Sequence, residues 1–396
     1  MAKPKLRFPE FMDEWEEKKV SEIFEFTNGK AHEQNVDENG KYIIINSKFI
    51  STDGKVKKYT NDLICPLKKN DIVMVMSDVP NGRAMSKCFL IQEDDKYTLN
   101  QRICGLRTNQ NSIFYIHQIS RNKYYLKFDN GVSQTNLRKE DVINCPIFET
   151  TDNEQQKIAD FLSKVDEKIF NQEAVVSDYE KMKKGLMQKI FSQEVRFKAD
   201  DGSEYPEWKE KRLGECLLIQ RGGSPRPIDS YMTNKEDGIN WIKIGDAPID
   251  GNIITSAKEK IKPEGKIKSR EVFAGDLILS NSMSFGRPYI LNIDGCIHDG
   301  WLLLRDEKKL FDLKYLCYLL SSDSVLSQYK KYAAGSTVNN LNIELVKSVK
   351  ISYLSKEEQQ KIADCLSTMD RKIETEKKIL EDWKKLKKAL LQQMFV

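Results

Sequence analysis

The chain has little of what characterises membrane proteins, secreted proteins or metal sites. No run of eighteen apolar residues occurs, and the opening segment MAKPKLRFPEFMDEW has no apolar stretch, so we expect neither a membrane span nor a signal peptide. Only three histidines occur, and the eight cysteines are scattered without a C-x-x-C pair. The sequence therefore predicts no zinc site, and reduced thiols in the cytoplasm.

Motifs of common catalytic sites are also missing. The sequence has no G-x-x-x-x-G-K-[ST] loop for ATP, no G-x-G-x-x-G, no Asn-Pro-Pro-aromatic run of the kind found in adenine methyltransferases, and no Pro-Asp pair that begins the usual nuclease pattern. We therefore predict that the chain is not an enzyme and binds neither a metal nor a cofactor itself. A nuclease whose carboxylates converge from distant positions stays open as the weakest alternative.

Charge of either sign is nearly balanced over the whole chain. Its 64 basic and 60 acidic residues give a formal net charge of +4, which neither requires nor excludes a nucleic-acid partner. A length of 396 residues with 39% hydrophobic side chains predicts a globular protein of several domains.

One long segment occurs twice. NEQQKIADFLSKVDEKI begins at residue 153 and EEQQKIADCLSTMDRKI at residue 357, and an ungapped alignment of residues 154–192 with 358–396 gives 19 identities in 39 positions. Each copy opens with a capping box, Thr151-x-x-Glu154 and Ser355-x-x-Glu358, in which the glutamate reaches back to the helix start. Because neither copy contains proline, we predict two helices of about ten turns each.

Apolar residues recur in both copies with alternating spacings of four and three, which is the seam of a coiled coil. We predict that the two helices pair with each other, antiparallel, within one chain; homodimerisation is the alternative. Lysines late in both helices, such as Lys183 and Lys387, are expected to form mainly a solvated face. The predicted seam comprises Ile158, Leu162, Val165, Ile169, Val176, Tyr179, Leu186, Ile362, Leu366, Met369, Ile373, Leu380, Trp383 and Leu390.

The segments between the helices repeat more faintly. FPEF at residue 8 resembles YPEW at 205, DIVM at 71 matches DLIL at 276, and GVSQTNL at 131 matches GSTVNNL at 335. The repeating unit is thus one globular domain followed by one helix. We predict domains at residues 1–150 and 194–354, and long helices at 151–193 and 355–396.

Each globular domain is predicted to be α+β, with strands first and helices after. The two domains differ in sequence in their central parts, although their ends are similar. We therefore expect two domains of the same fold that bind different ligands. Predicted strands are Tyr42–Asn46, Asp71–Ser77, Lys87–Ile91, Trp241–Gly245, Asp276–Ser280, Pro288–Ile293 and Gly300–Arg305, and predicted helical stretches are Ile113–Phe128 and Leu313–Tyr332.

The duplicated helix openings, the PEW-like start of each half and the G-x-x-x-x-N-L stretch before each helix together resemble the specificity subunit of a Type I restriction–modification system. The resemblance covers essentially the whole chain. It implies that the globular domains are target recognition domains, each reading one half of an asymmetric bipartite sequence in double-stranded DNA. It also implies that the helices set the half-site spacing and dock two methyltransferase subunits.

The resemblance further implies that restriction subunits join the complex and that S-adenosylmethionine, ATP and Mg²⁺ bind to partner subunits, none to this chain. A scaffold that joins two protein partners without binding DNA stays open as an alternative. Salt-dependent DNA affinity would distinguish the two.

Candidate DNA contacts are polar and basic residues in loops beside the strands, because such side chains reach base edges and phosphates. A turn or solvated loop is the alternative for each of them. The basic stretch from Lys258 to Arg270 is the clearest patch. The candidates are Asn46, Lys48, Ser77, Asn81, Arg83, Asn100, Gln101, Arg102, Ser133, Asn136, Lys243, Ser280, Asn281, Arg287, His298, Lys262, Lys266, Lys268, Thr337 and Asn340.

Overall fold

A computed structural model describes residues 4–79, 84–129, 134–281, 286–333 and 341–395. The chain divides into two compact units, one of residues 1–173 with 378–396 and the other of residues 174–377. Each unit therefore contains one globular domain, called here the first head (residues 4–150) or the second head (residues 194–354), together with parts of both long helices. The linear domain bounds predicted above follow chain order, and they stay a prediction.

Short strands and short helices build the first head. Its strands are β1 (Glu16–Lys19), β2 (Glu25–Asn28), β3 (Tyr42–Ile45), β4 (Tyr59–Thr60), β5 (Ile72–Val75), β6 (Ser77–Asp78), β7 (Cys88–Leu90), β8 (Tyr97–Leu99), β9 (Ile103–Arg107), β10 (Thr135–Asn136) and β11 (Pro146–Glu149). Its helices are α1 (Val20–Ile23), α2 (Ser47–Ser51), α3 (Ser112–Ile119), α4 (Lys123–Leu126) and α5 (Lys139–Ile143), and the long helix α6 (Asp152–Phe191) follows.

The second head has the same kinds of element. Its strands are β12 (Lys209–Arg212), β13 (Leu218–Arg221), β14 (Met232–Thr233), β15 (Ile239–Ile242), β16 (Ile253–Ile254), β17 (Glu259–Ile261), β18 (Arg270–Val272), β19 (Leu277–Ser280), β20 (Pro288–Leu291), β21 (Gly295–Ile297), β22 (Trp301–Arg305) and β23 (Lys350–Tyr353). Its helices are α7 (Leu213–Cys216), α8 (Leu313–Leu320), α9 (Asp323–Ala333) and α10 (Ile343–Ser348), and the long helix α11 (Lys356–Met394) follows.

The two heads share one sheet plan. The first has an antiparallel sheet in the order β2-β9-β5-β7, a sheet in the order β4-β3-β8, and the pair β1-β11. The second has β13-β22-β19-β20 extended by β16, β17-β15-β21 extended by β14 and β18, and the pair β12-β23. The β4-β3-β8 sheet contains one parallel pair, β3 with β8, and the sheet built on β17-β15-β21 contains the equivalent parallel pair, β15 with β21. The predicted α+β class and internal repeat are confirmed.

The central strands are apolar, except for Ser280 at the end of β19, because both faces are covered. Every residue of Ile72–Val75 is buried, as is every residue of Leu277–Ser280. Such strands read as short apolar runs without alternation, which is why the sequence revealed them. Their fully buried side chains stabilise each head by about 1.5–3 kcal/mol apiece before conformational entropy is counted.

Side-chain caps end two predicted elements early. The helical stretch predicted over Ile113–Phe128 divides into α3 and α4, because Asn122 accepts a hydrogen bond from the Tyr124 amide at 2.9 Å and starts a new helix. The strand predicted over Trp241–Gly245 ends at Ile242, because the Asp246 carboxylate accepts from the Lys243 amide at 2.8 Å and a single 3₁₀ turn follows.

The long helices α6 and α11 pair antiparallel in both units. In the first unit, Ile158 and Leu162 of α6 share a core with Met394 at the end of α11. In the second unit, Ile190 at the end of α6 shares a core with Ile362 and Leu366 near the start of α11. The start of each helix therefore packs beside the end of the other, as predicted.

The predicted seam residues face away from solvent to different degrees. Those classed as buried are Ile158, Leu162, Val165, Val176, Ile362, Leu366 and Ile373, and those half-buried are Ile169, Tyr179, Leu186, Met369, Leu380, Trp383 and Leu390. Half-burial of the second group is the geometry expected of a two-helix pair that solvent reaches from both sides.

Two lysines late in the long helices are neutralised by aspartates on the opposite helix. Lys183 Nζ lies 2.5 Å from Asp370 Oδ1, and Lys387 forms the equivalent pair with Asp166. The expectation of a solvated lysine face was therefore wrong at these two positions. Tyr318 donates to Asp370 at 2.5 Å, whereas the first unit has the partly buried His117, whose pKa is lowered to about 4 by burial and by the charge of Lys387.

The glutamates of the predicted capping boxes have a different role. Glu154 has no side-chain exposure and accepts two hydrogen bonds from Arg7, both at 2.7 Å, and one from the Trp15 indole at 3.0 Å. Glu358 likewise accepts from Arg196 and Trp208. The predicted back-bond to the helix start was wrong because a buried arginine–carboxylate pair offers stronger, charge-assisted bonds.

Within the described residues, no helix combines the length and the apolar character needed to cross a membrane. The same part of the chain contains no group of three or more histidine, cysteine, aspartate or glutamate residues placed to hold a metal ion.

Candidate nucleic-acid interface

The ends of β3, β5 and β8 and the residue that follows β10 meet at one edge of the first head. The turn between β8 and β9 joins two of the ends, because the Asn100 amide donates to Ile45 at 3.1 Å and the Met76 amide donates to Arg102 at 2.9 Å. The amide of Leu137 in turn donates to Met76 at 2.8 Å. These bonds bring together residues that are up to 92 positions apart in the sequence.

The candidates gathered at this edge form a polar surface. Ser77 donates from Oγ to Asn136 Oδ1 at 2.6 Å and accepts from Gln134 Nε2 at 2.6 Å. Gln101, Arg102 and Asn136 are exposed, whereas Ser77 is only 6% exposed. The exposed side chains are therefore offered to a ligand, while Ser77 holds Asn136 in place.

Asn46 and Lys48 lie beside this edge at the start of α2. The Asn46 side chain caps that helix by accepting from the Phe49 amide at 2.9 Å, and Lys48 is exposed. Asn100 is half-buried, and its Oδ1 is a buried acceptor without a partner among the described residues. An unsatisfied buried acceptor is costly, so an incoming donor at this position would gain binding energy.

The second head repeats the same three junctions with other side chains. The His298 amide donates to Ile242 at 3.3 Å, the Asn281 amide to Gly300 at 3.1 Å, and the Leu341 amide to Asn281 at 3.0 Å. The segment His298–Gly300 thus stands where Asn100–Arg102 stands in the first head. The shared backbone frame carries different polar side chains, as the divergence of the two sequences predicted.

Several candidates of the second head support this edge from inside. Ser280 is completely buried, and Asn281 is 4% exposed and donates to the Asp299 carbonyl at 2.8 Å. His298 is half-buried, and burial lowers its pKa although Asp299 acts in the opposite sense. Arg287 donates to the carbonyls of Ile249 and Gly251 at 3.1 and 2.7 Å. These four residues therefore order the edge more than they extend from it.

The basic stretch of the second head is exposed but internally bonded. Lys262 donates to the Ser230 carbonyl and Lys268 to the Tyr231 hydroxyl, both at 2.7 Å. Lys266 pairs with Glu271, and that hydrogen bond raises the pKa of the lysine. Lys243 pairs with Glu259. Phosphate contact by these lysines would require exchange of weak surface bonds, which cost little.

Other candidates lie outside the described residues, namely Asn81, Arg83, Ser133, Thr337 and Asn340. The described residues on either side of Asn81 and Arg83 are joined, because the Asp78 carboxylate accepts from the amides of Ala84 and Met85 at 2.7 and 3.0 Å. Asp78, Ala84 and Met85 therefore lie together in the first head.

Sequence reasoning missed the residues that position the turns. Lys30 accepts from the Gln101 amide at 2.9 Å, and His32 contacts the Lys30 carbonyl through Nδ1 at 2.7 Å. Gln134 and Asp299 also bind predicted residues. One signal was available in the sequence, since each head has a glycine directly after β2 or β13.

Those two glycines allow close backbone approach. A Cβ on Gly29 would lie 1.8 Å from the Asn100 carbonyl oxygen, and one on Gly222 would lie 2.0 Å from the His298 carbonyl oxygen. Backbone atoms cannot move aside as a flexible side chain can. Only glycine therefore fits against each turn.

We expect Gly29→Ala to lower the free energy of unfolding by about 2–4 kcal/mol, because the new methyl group would displace the Asn100–Arg102 turn. Urea denaturation measures this effect. Gly185→Ala is the matched control: nothing lies within 4 Å of its Cβ position, so helix propensity should instead raise stability by up to about 1 kcal/mol. Equal and small effects at both positions would contradict the steric assignment.

Comparison with known proteins identifies the family. The family model described as "Type I restriction modification DNA specificity domain" matches residues 12–175 and again residues 205–384. The chain is 24% identical to the type I restriction enzyme MjaVIII specificity subunit of Methanocaldococcus jannaschii, over 98% of this chain and 92% of the relative.

Two solved structures share the fold. One is the S subunit of a Type I restriction–modification system from M. genitalium, with 18% identity and a TM-score of 0.59 over 100% of this chain and 99% of that one. The other comes from work on complex assembly of the type I R-M system, with 18% identity and a TM-score of 0.60 over 96% of this chain and 97% of that one. Two copies of the domain cover most of the sequence, and the chain belongs to the Type I restriction–modification DNA specificity family.

Proposed function

We propose that this chain is the sequence-specificity subunit of a Type I restriction–modification complex and that each head reads one half of a bipartite DNA target. The observation that carries the proposal is the repeated edge of the two heads. The same three backbone junctions present Asn100-Gln101-Arg102 in one head and His298-Asp299-Gly300 in the other. One frame with different side chains suits two unlike half-sites.

The chemistry of the first edge supports direct reading of bases. Arginine donates bidentately to guanine, and asparagine or glutamine pairs with adenine in the major groove. Arg102 and Gln101 are exposed in a turn whose backbone is held at both ends, so their side chains are presented from a rigid base. The basic stretch around Lys262 and Lys268 would add phosphate contacts that position the second head.

The partners belong to the same proposal. The antiparallel helices would set the spacing between half-sites and provide the surface on which two methyltransferase subunits dock, and restriction subunits would complete the complex in the cytoplasm. S-adenosylmethionine, ATP and Mg²⁺ would bind to those partners. This chain supplies recognition, and the chemistry on adenine would belong to the methyltransferase subunits.

The decisive experiment sequences methylated positions in DNA from cells with and without this chain, in the presence of its methyltransferase partner. We expect methylation at one asymmetric bipartite sequence only when the chain is present. Absence of any sequence dependence, together with no DNA affinity at any salt concentration, would instead support a protein scaffold. Cleavage of DNA by the purified chain alone would support the nuclease alternative.

Arg102→Ala should weaken recognition at a single half-site. Loss of one base contact costs about 1–3 kcal/mol, so affinity for the full target should fall about 5- to 150-fold while the other half-site keeps its preference. Lys69→Ala is the matched control, because Lys69 is an exposed basic residue at the opposite end of β5. Competition binding with targets altered in either half measures both. Equal losses from the two variants would contradict base reading by Arg102.

A further inference from the structure

Two ion pairs between the long helices lie at equivalent positions of the two repeats, but the acidic and the basic residue are interchanged. In the first unit, Lys384 Nζ lies 2.6 Å from Glu173 Oε1. In the second unit, Lys377 Nζ lies 2.8 Å from Glu180 Oε1. The repeats are offset by 204 residues, so Glu173 corresponds to Lys377 and Glu180 corresponds to Lys384. The two pairs are therefore one contact formed twice with the charges reversed.

Glu180 and Lys384 directly follow the seam residues Tyr179 and Trp383, and Glu173 and Lys377 lie seven residues earlier on the same flank of the helix interface. Flanking charges in coiled coils decide which helices pair and in which orientation. The four side chains are between 37% and 51% exposed, so each pair is reached by water and is individually weak. Their effect is therefore the difference in stability between the observed helix pairing and the pairing that these charges disfavour.

The other two ion pairs of the helix interface provide a contrast. Lys183 with Asp370 and Lys387 with Asp166 are also equivalent contacts, but both repeats have lysine and aspartate at the same positions. They would form equally well between α6 and α11 or between two copies of α6. The apolar seam discriminates less than a reversed charge would, because apolar side chains occupy the same positions in both helices.

Of these four ion pairs, the two reversed ones would penalise the pairing of a helix with its own copy. In an antiparallel pair of two α6 helices with the same register, Glu173 of one copy would face Glu180 of the other, twice. In the corresponding pair of two α11 helices, Lys377 would face Lys384, twice. Like charges at facing positions are unfavourable, whereas the observed pairing places opposite charges at all of these positions.

We propose that Glu173, Glu180, Lys377 and Lys384 form a charge code that directs α6 to the α11 helix of its own chain and away from the α6 helix of a second copy. The flank of α6 that carries Glu173 and Glu180 is thus an interaction surface. Its partner is α11 of the same chain, and the partner that it excludes is α6 of a second copy. The seam supplies the attraction between the helices, and the reversed charges select which two helices meet. The proposal does not depend on the proposed DNA function.

The test uses the full chain with charges reversed on one helix or on both. One variant has Glu173→Lys with Glu180→Lys, a second has Lys377→Glu with Lys384→Glu, and a third has all four changes. Because Asp250 Oδ1 lies 3.8 Å from Lys377 Nζ, Asp250→Asn is added to every chain, including the reference. Thermal unfolding and native mass spectrometry after refolding from urea are the measurements.

We expect each singly reversed variant to melt several degrees lower than the reference, and the variant with all four changes to return to within about 2 °C of it. Two singly reversed variants refolded together should form a mixed dimer in about tenfold excess over either homodimer. The matched control is a pair of tagged chains with glutamine at all four positions, which should give statistical products. In 1 M salt, where the screening length is about 3 Å, the excess should disappear.

Two results would overturn the proposal. One is a variant with all four changes that is no more stable than the singly reversed variants, since opposite charges would then not matter at these positions. The other is a mixture of the two singly reversed variants that forms no more mixed dimer than the glutamine control, since the seam alone would then select the partner.

Discussion

Replacement of Glu154 by alanine is expected to lower the free energy of unfolding of the first unit by about 3–5 kcal/mol. The carboxylate is completely buried, and Arg7, whose side chain is only 10% exposed, would be left without its partner. The Trp15 indole and the Thr150 hydroxyl would also lose their acceptor. Urea denaturation followed by amide hydrogen exchange in the first unit measures the loss.

Two further variants separate charge burial from simple loss of contacts. Arg7→Leu combined with Glu154→Leu should be more stable than either single change, because no unpaired charge remains buried. Glu10→Ala removes a carboxylate that pairs with Lys157 on the surface of the same unit, and it should leave stability unchanged. If Glu154→Ala were as mild as Glu10→Ala, the assigned role of the buried pair would be wrong.

Acid should weaken this part of the molecule. Burial tends to raise the pKa of Glu154. Hydrogen bonds from Arg7, Thr150 and Trp15 together lower it by more than burial raises it, so the pKa lies below its ordinary value. The unfolded chain, with a glutamate pKa of about 4.3, then binds the proton more readily than the native state. The stabilisation is complete above that value and is lost as the pH falls below it. Glu154→Gln should flatten this decline.

Insertion of four residues after Ala174 in α6 alone is expected to abolish binding to the original target or to change its spacer, without changing either half-site. The insertion moves the following residues by about 6 Å and rotates them by about 40°, which puts the later seam and Lys183 out of register with α11. Specific affinity should fall by about a hundredfold or more toward non-specific binding. Selection from a library of targets with random half-sites and variable spacers measures both properties.

A seven-residue insertion at equivalent positions in both helices is the matched control. One heptad preserves the seam and adds about 10 Å to each helix, which corresponds to about three base pairs of DNA. The preferred spacer should lengthen accordingly while the half-sites stay the same. Altered half-site preferences in either variant would show that reading and spacing are not separate, and this part of the proposed function would fail.

Local patterns in the sequence carried the architecture. The spacing of Ile158, Leu162 and Val165 and its repetition 204 residues later predicted two paired helices, and apolar runs such as Ile72–Val75 predicted the central strands. These signals survive because each depends on neighbours within one or two turns or along one strand. The same locality explains the errors, since capping and solvated lysines were the nearest local explanations for Glu154 and Lys183.

The sites depended on contacts between distant parts of the chain. Arg7 reaches Glu154 across 147 positions, and Lys183 reaches Asp370 across 187. Ile45, Met76 and Arg102 meet because three strands end at one edge, and no local signal specifies which strand ends are neighbours. Gly29 and Gly222 were the sequence features that pointed to the turns. Why glycine is needed there became clear only when the opposing carbonyl oxygens were located.

By itself, the sequence determined that this protein is a twice-repeated unit of one α+β head and one long helix, with an apolar seam on each helix and differing polar loops on each head. Tertiary structure alone decided which polar residues converge, which carboxylates are buried and which charges face each other across the helix pair. The physical reason is that periodicity records the burial of each residue along its own element, whereas a polar contact depends on the position of a partner far away in the chain. That position is settled only when the elements pack.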